Sequence, residues 1–193
     1  MNHLQLVLET LEKNGLRPTV EEESFKGGLF KRIRWDDPQK GICQIYESDI
    51  DYQDGKLAWF QSIEDGSDFL LVVIEHEEPF EWTPITHNPF FGCFCILLEW
   101  YKEHLIFIYQ EKHGIYICSI RNSSVNHIRF HGEEIERKGD IVTYQTYGKP
   151  SEKISAVKIP ELEIMPPIDR QEAEKMDLIP QGLNRPDNFL KHK

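Results

Sequence analysis

Between residues 29 and 159 the chain is a succession of short segments rich in Ile, Val, Tyr and Phe, with no long helical crossover among them. That absence limits the topology more than any other feature. Parallel strands need a crossover of about a dozen or more residues, usually a helix, whereas antiparallel strands need only a tight turn. The β-rich segments are 30–35, 42–47, 57–63, 69–76, 92–101, 105–110, 115–120, 126–130, 141–147 and 154–159. Turn-forming residues separate most of them: Asp36-Asp37-Pro38, Asp54-Gly55, Asp65-Gly66, Lys102-Glu103, Lys112-His113-Gly114, Asn122-Ser123-Ser124 and Lys138-Gly139-Asp140. The expected class is α+β and mainly antiparallel β, as a meander-like curved sheet or a two-layer sandwich.

The first fourteen residues read as a helix, because Leu4, Val7, Leu8 and Leu11 repeat on one face. Asn2 with Gln5 resembles a capping box, and Gly15 suits the C-terminal stop. Residues 21–28 read as a polar connection, and 79–89, with three prolines, as an irregular loop. The run 69–74 is continuously apolar and predicts a strand buried on both faces or covered by the helix. Residues 1–159 are expected to form one mainly-β domain. Residues 160–193 read as a proline-punctuated tail with a short helix capped by Asp169 and Glu172.

Charge is divided unevenly. Residues 1–100 hold 8 Lys/Arg against 19 Asp/Glu, a net −11, whereas residues 101–193 hold 14 of each. From Glu47 to Glu81 eleven acids face one base, Lys56. A one-signed region steers cationic partners and repels nucleic acid. The basic patch Lys31-Arg32-Ile33-Arg34-Trp35 alternates like a strand with Ile33 and Trp35 inward, so nucleic acid is not the expected partner.

The longest mainly apolar stretches fall short of the ~20 residues of a membrane helix. No secretory signal is read at the start, and a cytoplasmic location is expected. The 39% hydrophobic content suits a globular chain.

Motifs with chemistry are sparse. His127 and His131 lie on a strand-like segment and would stand ~13 Å apart, too far to share a metal. Glu75-His76-Glu77-Glu78 lacks the helical two-histidine zinc pattern. Cys43, Cys93, Cys95 and Cys118 lack paired two-residue spacings and read as core thiols. Phosphate-loop, dinucleotide and nucleophile-elbow motifs are absent. No metal, cofactor or catalytic residue is assigned from the residues.

The leading expectation is a non-enzymatic protein, of the inhibitor or immunity type, whose acidic surface binds a basic protein. The expected surface is Glu75, Glu77, Glu78, Phe80, Glu81 and Trp82, carboxylates flanking aromatic anchors. The alternatives are a small-molecule-binding protein or enzyme with a pocket of convergent Tyr, His and Glu groups, and a structural protein that assembles through its edges.

Overall fold

The computed structural model describes residues 2–25, 28–63, 68–75, 79–84, 93–111, 114–132, 134–145 and 152–182. Antiparallel strands dominate, with one helix at the N-terminus and a short one near the C-terminus. The chain divides into two compact units, Met1–Trp100 and Tyr101–Lys193. That division coincides with the charge boundary: the first unit carries the whole −11 and the second is neutral.

Helix α1 (His3–Lys13) begins at Asn2, whose side chain accepts from the Leu4 amide at 3.0 Å. Gln5 does not complete a capping box; its amide donates to Glu9 at 3.1 Å, one turn on. At the other end the Gly15 amide donates to Glu12 O at 2.9 Å and the Leu16 amide to Leu11 O at 3.1 Å. This pair of bonds needs a left-handed residue between them, and Gly15 supplies it with φ 81°. Leu4, Val7 and Leu11 are buried.

They pack on a seven-stranded antiparallel sheet ordered β1-β2-β3-β5-β6-β7, with β4 paired to β5. Its strands are β1 (Thr19–Phe25), β2 (Gly28–Asp37), β3 (Gly41–Tyr46), β4 (Ile50–Gln53), β5 (Lys56–Ile63), β6 (Asp68–Ile74) and β7 (Phe80–Trp82). The core under α1 contains Ile33 and Trp35 from β2, Cys43 and Ile45 from β3, Leu57 and Trp59 from β5, and Leu70 and Val72 from β6. Successive residues of a strand face opposite ways. Leu71 and Val73 therefore fill the other face of β6, also buried, as the uninterrupted apolar run predicts.

Several segments differ from expectation, two of them at the ends of this sheet. Residues 21–28 are not a connection: β1 pairs with β2 over its whole length. Three consecutive glutamates suit a strand here because β2 sets bases opposite the first two. Glu21 lies across from Arg32 and Glu22 across from Lys31. Arg32 reaches Glu21 at 2.7 Å and Glu23 at 3.5 Å. Ile33 and Trp35 do point inward. The second difference is β7, a short strand within what reads as a loop; its alternating Phe80 and Trp82 share the face of Val73 and Leu71.

Strand β8 (Phe94–Tyr101) runs through the boundary between the units. In the second unit β9 (His104–Glu111), β10 (Gly114–Arg121) and β11 (Ser124–Phe130) form an antiparallel meander. A second sheet is ordered β15-β14-β13-β12-β16, built from β12 (Glu134–Lys138), β13 (Ile141–Gln145), β14 (Lys153–Lys158), β15 (Glu163–Asp169) and β16 (Gln181–Gly182). Residues beyond 159 thus supply β15, the capped helix α2 (Arg170–Lys175) and β16. Pro166 and Pro167 lie on β15, the end strand of its sheet, at the register shift in its pairing with β14, so their missing N–H groups cost no ladder bond. Asp169 caps α2 by accepting from the Gln171 amide at 2.9 Å, and Ala173 and Leu178 pack on Ile154.

Candidate interaction surface

Register decides where the acidic residues point. Val72 lies opposite Glu81, and Val73 opposite Phe80. Directly opposed residues share a face, so Glu81 takes the α1 side of the sheet while Phe80 and Trp82 take the other. Glu81 is exposed, and its carboxylate meets the Lys40 ammonium at 2.6 Å. Lys40 is presented by the β2–β3 turn, where Asp37 accepts from the amides of Gln39 at 2.8 Å and Lys40 at 3.1 Å.

Glu75 follows β6 and lies 3.7 Å from Lys56, with only 10% of its side chain exposed. Lys56 also sits 5.0 Å from the centre of the Trp100 ring. The Trp100 amide donates to Asp51 at 2.6 Å. Lys56 belongs to the face of Ala58 and Val73 by alternation. The structure therefore separates Glu75 from Glu81 and gives each its own lysine. Phe80 and Trp82 are half-buried on the Glu75 side. Glu77 and Glu78 lie outside the described residues.

Two further polar clusters have no sequence motif. In the first unit, Asp49 ends a 3-10 turn and accepts from the Ser48 hydroxyl at 3.0 Å. Burial pushes its carboxyl up to about 7, against the opposing effect of hydrogen bonds from Ser48 and Cys95. The Cys95 thiol is pushed well up by burial, and further by Asp49 and Cys93. Burial also moves Cys43 up to about 11 and raises Cys118. Thiols held protonated in this way are poor nucleophiles. All four cysteines are free thiols.

In the second unit, one face of the meander carries Phe107, Tyr109 and Glu111 from β9, Tyr116 and Cys118 from β10, and His127 and Arg129 from β11. Tyr109 stacks on Tyr116 with ring centres 4.7 Å apart. Glu111 is 4% exposed and receives Arg129 at 3.1 Å. The Arg129 guanidinium lies 5.6 Å from the Tyr116 ring centre, and His127 is tilted against the same ring at 6.3 Å. Burial raises the Tyr116 phenol, and the Glu111 charge adds to it. His127 and His131 are both exposed.

Among the described residues no group of three or more His, Cys, Asp or Glu side chains is placed to hold a metal ion. No helix among them is long and apolar enough to cross a membrane. Comparison of the chain with protein-family models, with curated proteins and with solved structures finds no match.

Proposed function

We propose that the chain is a non-enzymatic binding protein whose acidic N-terminal unit docks a basic protein, as an inhibitor or immunity-type protein covers a cationic cleft. The observation that carries this reading is the confinement of the whole net charge to one compact unit. A charge gathered in this way raises association rates with cations and disfavours acidic competitors. Within the candidate surface, Glu81 is the described carboxylate that stands exposed; the half-buried Phe80 and Trp82 flank it in sequence and face the other side of the sheet. Glu75 serves to neutralise Lys56.

The test is capture of partners from source-cell lysate, followed by association kinetics of the captured protein across a salt series. Wild type is compared with a chain carrying Glu77→Gln, Glu78→Gln and Glu81→Gln. Slower association with a flatter salt dependence is expected in the variant. Identical kinetics at every salt concentration would remove this surface from the proposal.

A second reading draws on Glu111, Tyr116, Arg129 and His127, which bring carboxylate, phenol, guanidinium and imidazole to one sheet face. Such convergence is what a small-molecule site needs. Shifts of the His127 ring signals by one member of a metabolite panel, abolished in Arg129→Met, would favour it.

A further inference from the structure

We propose that strand β1 accepts a basic extended segment of the partner as an added β-strand. This rests on the reading of the first unit as the acceptor of a basic protein, and names the element that receives it. β1 ends the sheet: its seven residues pair with β2, and among the described residues nothing pairs with its other edge. Half of the main-chain N–H and C=O groups of such a strand point away from its neighbour and await a partner. Side chains on both faces of β1 are open to solvent. Val20 is 45% exposed, and the Glu21 and Glu23 side chains 39% and 48%.

Charge then selects the occupant. Glu22 lies on the α1 face beside Val20, and Glu21 and Glu23 lie on the opposite face. Arg32 is shared between Glu21 and Glu23, so one guanidinium answers two carboxylates. Glu22 forms no ion pair among the described residues. A second copy of β1 added antiparallel and centred on Glu22 would set glutamate against glutamate, which is destabilising. A strand with Lys or Arg at successive positions would meet acids on both faces and an apolar contact at Val20. Three other end strands suit this occupant less. β7 is three residues long, β15 lacks two amides at Pro166 and Pro167, and β11 presents His127 and Arg129.

The probe is a synthetic Lys/Val peptide with lysines at successive positions, beside the same peptide N-methylated on alternate residues. Hydrogen exchange of the full chain is followed at low salt. The expected result is protection of alternate β1 amides by the plain peptide and none by the methylated one. Glu22→Gln with Glu23→Gln should weaken binding about two- to fivefold. Glu9→Gln with Glu12→Gln, an equal loss of charge on exposed positions of α1, should leave the affinity within twofold. Peptide binding that protects other elements of the first unit, or equal binding of the methylated peptide, would overturn strand addition while leaving the acidic-acceptor reading intact. Absence of binding by either peptide would overturn both.

Discussion

Arg129 reaches Glu111 by passing over Gly114. Gly114 lies directly opposite Glu111, Arg129 lies diagonally across from it on β11, and a Cβ built at Gly114 would stand 2.9 Å from Arg129 Nε. The missing side chain is the space through which the guanidinium meets a carboxylate that is 4% exposed. Removing one partner of a buried pair leaves the other charge poorly compensated.

Gly114→Ala is therefore expected to displace Arg129 and destabilise the chain by about 1 kcal/mol, and Arg129→Met by about 1–3 kcal/mol. Because both act on one interaction, the double variant should cost less than the sum of the two. Urea denaturation of the four chains measures this, and strict additivity would show that Gly114 has another role.

Glu75 and Glu81 make ion pairs of unequal consequence. Glu81→Gln releases a partly exposed pair and should change stability by about 0–1 kcal/mol. Glu75→Gln removes a carboxylate whose side chain is only 10% exposed from Lys56 and should cost about 1–3 kcal/mol. Midpoints of thermal unfolding compare them directly. Equal losses would contradict the burial difference between the two sites.

Asp49 makes stability depend on pH. Its folded carboxyl titrates near 7 instead of the usual 3.8, so the folded chain holds that proton more tightly than the unfolded chain. The contribution is fully present below about 3.8 and is lost as pH rises through about 7. Asp49→Asn should flatten this slope and exceed wild type above pH 7, on the order of 1–2 kcal/mol after allowance for partial solvent screening. Denaturation at pH 5 and pH 8 tests the sign. A variant less stable than wild type at pH 8 would show that the charged carboxylate is the form the fold prefers.

Buried thiols should resist alkylation. Cys43 and Cys118 are buried and raised in pKa, so iodoacetamide at pH 8 should modify them only as the chain opens. Mass spectrometry of peptides from folded and urea-treated protein reads the difference. Rapid modification of Cys43 in the folded chain would contradict its burial.

Much of the fold was legible because turns and periodicity act locally. The Asn122-Ser123-Ser124 turn joins β10 to β11, and such a turn fixes register. That register sets Tyr109, Tyr116 and Arg129 in one row. The helix followed from four leucine and valine positions and two terminal residues. β1 was hidden because Glu-Glu-Glu has low strand propensity; Arg32 across the hairpin pairs with Glu21 and Glu23, a contact known only once register is fixed. β12, Glu-Ile-Glu-Arg-Lys, was hidden by the same charged composition. The separation of Glu75 from Glu81 was illegible for another reason: it depends on the alignment of β6 with β7, which a single shifted residue would reverse. The Asp49–Cys95 and Glu111–Arg129 contacts join distant positions and carry no local signal.

The two proline-bearing and glutamate-bearing sheet ends differ in permanence. Pro166 and Pro167 deny β15 two amide donors under every solvent condition. The guard on β1 is made of Glu21, Glu22 and Glu23, and concentrated salt screens it. At high ionic strength β1 becomes a screened template bearing an exposed Val20. Salt-induced fibrils of this chain should therefore nucleate on its N-terminal unit, with β15 remaining a dead end for growth.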